Sequence, residues 1–157
     1  MTKKPASVRV LRGVLRPWWR LTRGLTLGAQ GVVIDENSRV LLVRHGYRPG
    51  WFFPGGGVER TETLTSALSR ELEEEAGVIL TAPAALHGVF ANNENFPGDH
   101  IAVFLVREWQ RPNVPAPGME IAEQDFFALD ALPGNTSGGT RRRLAEIFDG
   151  APISEKW

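Results

Sequence analysis

From residue 25 onward the chain alternates apolar runs with polar breaks, and the runs carry two different periods. Leu27–Ile34 and Val40–Arg44 are β-rich and almost continuously apolar, which predicts strands in a sheet covered on both faces. Asp35-Glu36-Asn37-Ser38 between them reads as a hairpin-like connection. Ile79–Leu80, Leu86–Ala91 and Ile101–Val106 predict further strands, the last two joined by the loop Asn92–Asp99. The period changes at Leu64. Leu64, Ala67, Leu68, Leu72 and Ala76 recur at helical spacing and, at about 100° per residue, fall on one broad arc. Glu62 and Thr63 stand at the start of this helix, where free N–H groups favour acidic and hydroxyl side chains. Gly77 supplies its C-terminal cap. Farther on, Gln110–Gly118 is proline-rich and irregular, Gly134–Gly139 reads as a flexible linker, and Arg141–Phe148 has the pattern of a closing helix.

Ahead of all this lies a different texture. Val10, Leu11, Val14, Leu15, Trp18 and Trp19 are apolar, while Arg12, Arg16 and Arg20 repeat every four residues. The pattern over Val8–Leu21 predicts an amphipathic helix, kinked or ended near Pro17. The favoured expectation is that it packs on its own domain or on a sister subunit of a homodimer, ahead of an anionic membrane or RNA.

Composition narrows the class. At 157 residues, 42% hydrophobic and 23% charged, the chain suits one domain of a soluble globular protein. It has no cysteine, which excludes disulfides, thiolate metal sites and cysteine nucleophiles and fits a reducing cytoplasm. Arginines interrupt any signal-peptide run near the N-terminus, and no stretch approaches membrane-spanning length. The zero net charge conceals an asymmetry: residues 1–24 hold seven of the eighteen bases and none of the eighteen acids.

Charge position within the helix then changes the picture. Glu71 and Glu75 fall inside the apolar arc, near the lines of Leu64 and Leu68, Glu74 lies on its margin, and Glu73 points the opposite way. A solvated acidic face accounts for Glu73. It does not account for Glu71 and Glu75, because a buried carboxylate is protonated, paired or metal-bound. Acids at i, i+3 and i+4 repel one another unless a cation sits among them, and such hard oxygen donors suit Mg²⁺ or Mn²⁺. Three consecutive glycines, Gly55–Gly57, precede the helix and let main-chain groups approach a ligand closely. His45, His87 and His100 are isolated in sequence and read as ordinary hydrogen-bonded residues.

Gly56, Glu62, Arg70, Glu71, Leu72, Glu74, Glu75, Gly77 and Val78 together occupy every specified place of the pattern GX5EX7REUXEEXGU, with U a bulky aliphatic. The chain therefore resembles the Nudix hydrolases. The resemblance implies an α/β fold, an α/β/α sandwich with a mixed sheet over residues 24–157, residues 1–23 forming the basic arm. It also implies hydrolysis of a diphosphate linking a nucleoside to another moiety, with Mg²⁺ or Mn²⁺ as cofactor. Glu71 and Glu75 match the principal metal ligands, and Glu74 a second ligand or base relay. A carbonyl of Gly55 or Gly56 would complete the shell. Arg70 corresponds to the family arginine that orients an acid, and Glu62 looks structural. The tail from Met119 to Pro133 resembles the late segment in which an acid precedes an aromatic strand and a leucine-proline turn. Glu120 is thus the candidate general base, with Glu123 and Glu94 as rivals. For the substrate, Tyr47, Trp51 and Phe96 are candidates for stacking on a base, and Arg44 and Arg48 for contacting phosphate. No extension singles out a nucleotide sugar, ADP-ribose or another nucleotide. The alternative is a catalytically silent ligand-binding or regulatory module on the same fold, although such modules usually lose box acids that this chain keeps.

Overall fold

The computed structural model describes residues 24–157, so the basic arm and its expected amphipathic helix lie outside the described residues. In chain order the elements are β1 (Thr26–Val33), β2 (Val40–His45), β3 (Gly55–Gly57), α1 (Leu64–Ala76), β4 (Ile79–Leu80), β5 (Ala85–Ala91), β6 (Asp99–Val106), β7 (Trp109–Gln110), β8 (Ile121–Phe127), a 3₁₀ turn (Leu129–Ala131) and α2 (Gly138–Phe148). The main sheet is mixed, in the order β3-β1-β6-β5: β1 runs parallel to β6, while β3 and β5 are antiparallel to their neighbours. Two antiparallel pairs, β2-β8 and β4-β7, complete the strands. No helix among the described residues is long and apolar enough to cross a membrane.

Strand alternation divides the core into two layers. Ala29 and Val33 of β1 join Ala102, Phe104 and Val106 of β6 beneath Ala67, Leu68, Leu72 and Ala76 of α1. On the opposite side Val32, Ile34, Ile101 and Val103 meet Phe53, Phe90 and Leu144 of α2. The sheet is therefore buried on both faces, as its apolar runs require, giving the α/β/α sandwich. Leu68 and Leu72 are fully buried, each worth about 1.5–3 kcal/mol relative to exposure.

α1 starts and stops where its sequence says. Thr63 accepts from the Ser66 N–H and Ser66 returns the bond to the Thr63 N–H, a capping box. At the other end Gly77 takes φ 67°, and its N–H bonds the Glu73 carbonyl.

Two local expectations need correction, and one strand carries no side-chain pattern to predict it. β1 and β2 do not form a hairpin sheet: only Ile34 and Val40 bridge across the turn, after which β2 leaves to pair with β8. The triple glycine is itself a strand, β3, pairing Gly57, Gly56 and Gly55 with Gly28, Ala29 and Gln30. The segment Gly134–Gly139 is ordered by packing. Thr136 is buried and bridges Trp51, Ser137 caps α2 by accepting from the Thr140 N–H, and Gly138–Gly139 form the first turn of α2.

Candidate active site

The inward arc of α1 delivers its acids to the edge of the sheet. Glu75 is 6% exposed, and its Oε2 accepts the Gly55 N–H at 2.8 Å. Burial pushes its carboxyl up to about 7; the negative charges of Glu71 and Glu120 push the same way, and the Gly55 N–H and Arg48 oppose them. One turn back, Glu71 lies against β3: a Cβ on Gly56 would stand 2.5 Å from its carboxylate, so only glycine permits this approach.

Arg70 fixes that arrangement from the side. Its Nε and one terminal nitrogen grip Glu62 at 2.8 and 2.9 Å, and its other terminal nitrogen holds Glu71 Oε1 at 2.7 Å. It also donates to the Gly57 carbonyl at 3.1 Å. The Arg70 guanidinium, helped by the Glu59 N–H, holds the Glu62 carboxyl down at about 2. Arg70 thus pairs with Glu62 and Glu71 at once. Glu74 is largely exposed and reaches Arg70 only at 3.5 Å, while Glu73 is exposed, as the wheel requires.

Glu120 arrives from the loop before β8. It lines, together with Glu71, Glu75, Gly55, Gly56, Tyr47 and Arg48, a cleft of about 400 Å³. A neighbouring recess of about 500 Å³ shares the wall residues Gln30, Arg48, Asn92 and Ile101 and extends to Phe52, Ser137 and Trp157. A still larger recess, about 650 Å³, lies between the β1–β2 turn and β7. It holds none of the box acids, and its Asp35 and Arg39 are paired with each other at 2.7 Å, so the smaller cleft is where chemistry is concentrated.

The other sequence candidates separate. Arg48 lines both recesses and lies over the Phe52 ring at 3.8 Å, and Tyr47 lines the acid cleft with most of its surface exposed. Arg44 is spent on Glu123 at 2.9 Å, and neither lines the cleft. Trp51 packs edge-on against Phe127 in the α2-side core. Phe96 is exposed on the Asn92–Asp99 loop and lines neither recess. Glu94 lines the recess beyond the acids. Of five proposed substrate contacts, then, only Tyr47 and Arg48 stand at the site. Residues missed in the sequence are Gln30, Asn92 and His45. His45 follows Arg44 on β2, so strand alternation alone would have sent it to the opposite face from that surface arginine.

No three His, Asp or Glu side chains among the described residues converge into a ready-made coordination shell. The donor set nonetheless suits a hard dication: a buried carboxylate with one N–H partner, two more carboxylates raising its charge cost, and no thiolate. Gly55 meets Glu75 through its N–H.

Comparison with known proteins agrees with this geometry. The sequence model of the NUDIX domain matches residues 24–147. The chain is 38% identical over 88 residues to an 8-oxo-dGTP diphosphatase of Proteus vulgaris, covering 52% of this chain and 76% of that protein. It is 32% identical over 120 residues to an ADP-ribose pyrophosphatase of Methanocaldococcus jannaschii, covering 74% of this chain but only 58% of the relative. Among solved structures, a MutT NUDIX hydrolase from Burkholderia pseudomallei superposes with a TM-score of 0.67 at 29% identity, covering 78% of this chain and 97% of that one.

Proposed function

The chain belongs to the NUDIX family of pyrophosphohydrolases, and on that premise we propose that it is a divalent-metal-dependent hydrolase of a nucleoside diphosphate linked to another moiety. The observation that carries the reading is Glu75, a buried carboxyl held by one backbone N–H and crowded by Glu71 and Glu120. Glu71 and Glu75, with Glu74 at the margin and a carbonyl of Gly55 or Gly56, would hold Mg²⁺ or Mn²⁺. Bound there, such an ion neutralises diphosphate oxygens and makes a bound water more acidic.

The chain's own residues supply the rest. Arg70 keeps Glu71 in place, the Gly55 N–H orients Glu75, and Arg48 offers positive charge to a phosphate oxygen in the shared wall of the two recesses. Glu120 takes the proton of the attacking water at its carboxylate. The recess lined by Phe52 and Trp157 would take the moiety beyond the diphosphate, and Tyr47, on the wall of the acid cleft, would stack on a base. The relatives act on an oxidised nucleotide and on ADP-ribose by name, which supports the nucleoside-diphosphate class without choosing within it. Absence of cysteine supports a cytoplasmic setting.

A panel of ADP-ribose, nucleotide sugars, dinucleoside polyphosphates and oxidised nucleoside triphosphates, assayed with Mg²⁺ and with Mn²⁺ and resolved by product, tests the reading. Wild type turns over one class in a metal-dependent way, and Glu120→Gln lowers kcat by about 10²–10⁴-fold with little change in KM. Binding without turnover by any panel member would make the chain a silent ligand-binding module instead.

A further inference from the structure

Two side chains lining the cleft carry a buried polar atom without a hydrogen-bond partner: Gln30 through its Oε1, and His45 through both ring nitrogens. His45 is 4% exposed, and neither ring nitrogen makes a hydrogen bond, although the residue lines the same cleft as Glu71, Glu75, Glu120 and Arg48. A buried donor or acceptor without a partner is destabilising and rare, and a hydrogen-bonding ligand in the cleft would relieve it.

The backbone explains how the ring comes to be there. Arg44 pairs with Glu123 across the β2-β8 ladder but His45 pairs with Ile121, so Ala122 is a bulge residue. Bulges of this kind re-aim side chains and cluster beside functional sites. On β2 itself, alternation turns Arg44 outward to Glu123 and leaves His45 beside the cleft, while the bulge lies on the facing strand, next to the loop that carries Glu120. The Gly46 N–H donates to the Glu120 carbonyl at 3.2 Å, tying the two segments together. Tyr47 and Phe52 flank the ring at 5.2 and 5.8 Å between centroids and limit its movement. Burial and then Arg48 hold the imidazole below its ordinary value, against the opposing pull of the Glu120 backbone; this favours the neutral ring, which has one donor and one acceptor nitrogen.

We propose that His45 contacts substrate, its imidazole donating a hydrogen bond to a diphosphate oxygen in the cleft that Arg48 and the box acids also line. This rests on the diphosphate reading above. A diphosphate offers only acceptors, and a neutral donor engages it without adding a cation that would pair with the three neighbouring carboxylates.

Calorimetric titration of the full chain with imidodiphosphate, a non-hydrolysable diphosphate, in the presence of Mg²⁺ tests the contact. His45→Phe keeps the ring shape and removes both nitrogens. It binds about tenfold or more weakly than wild type, because hydrogen bonds to charged groups are among the stronger ones. It also melts no lower than wild type, since two unpartnered polar atoms leave the interior. His45→Asn, which keeps a donor, regains part of the affinity. Equal affinity of His45→Phe and wild type would mean that the ring meets only water, and would overturn the proposal. A lower melting temperature with unchanged affinity would do the same by making His45 structural. If His45→Phe does not fold, His45→Leu carries the same comparison. Wild type that binds no imidodiphosphate would bring down the diphosphate reading itself, a result distinct from failure of the His45 contact.

Discussion

Replacing Glu75 with glutamine gives the sharpest check on the acid cluster, because the sign of its effect reverses with metal. In the metal-free protein the Glu75 carboxyl stands at about 7, against 4.5 for an ordinary glutamate. Below 4.5 the group is protonated whether the chain is folded or not, and it contributes nothing to the pH dependence. Between 4.5 and 7 the unfolded chain gives up its proton while the folded chain keeps it, so stability falls as pH rises. Above 7 the whole cost is present, about 3 kcal/mol at 1.36 kcal/mol per tenfold in proton affinity. Glu75→Gln has no proton to lose and can still accept the Gly55 N–H through its amide oxygen. Urea unfolding in excess EDTA, from pH 4.5 to 8.5, therefore shows the two proteins converging in acid and the variant ahead by about 3 kcal/mol at pH 8. That margin corresponds to roughly 6–12 °C in Tm for a domain of this size. Adding Mg²⁺ stabilises wild type and leaves the variant unmoved. A wild-type minus variant difference that stays flat across this range, or that grows in favour of wild type as pH rises without metal, would refute the buried-carboxyl argument.

Two further changes probe the frame. Gly56→Ala places a methyl 2.5 Å from the Glu71 carboxylate, so kcat should fall by about 10–100-fold, as for disturbed metal-ligand orientation, and Mg²⁺ titration of activity should show the loss. On the α2 side, Glu146→Ala strips the fully buried Arg143 of its 2.6 Å partner and should cost about 3–5 kcal/mol in urea unfolding.

The helix was readable because its period is local. Leu64, Leu68 and Leu72 define an inward line, and any acid beside that line is marked before the rest of the fold is known. Gly77 was readable for the same reason, since a cap depends on one residue's backbone. Pairing partners were not. Val40–Arg44 looks like the second arm of a hairpin, and only the distant Ile121–Phe127 shows where it goes. Gly55–Gly57 lacks side chains to carry a strand pattern, yet it pairs with β1. Arg143 and Glu146, three residues apart, look like a surface ion pair in sequence. Their burial depends on Phe90 beneath the guanidinium at 3.8 Å, His87 at 2.8 Å from Glu146, and the Lys156 carbonyl. Substrate contacts were the least legible. Arg44 and Arg48 are alike in type and four residues apart, and only the pairing of β2 with β8 and the turn after β2 separate a strand-surface ion pair from a cleft residue.

The grip of Arg70 on Glu62, Glu71 and the Gly57 carbonyl has a consequence for how the molecule loses activity on heating. It cross-links the turn before α1 to the middle of the helix, so the turn cannot open without releasing Glu71. Opening that segment leaves the two apolar layers intact and exposes little of them, which places it among the low-energy local fluctuations that precede global unfolding. The backbone amides of residues 57–62 therefore report on catalytic competence. Their hydrogen exchange should quicken at the temperature where turnover fails, while the amides of β1 and β6 remain protected.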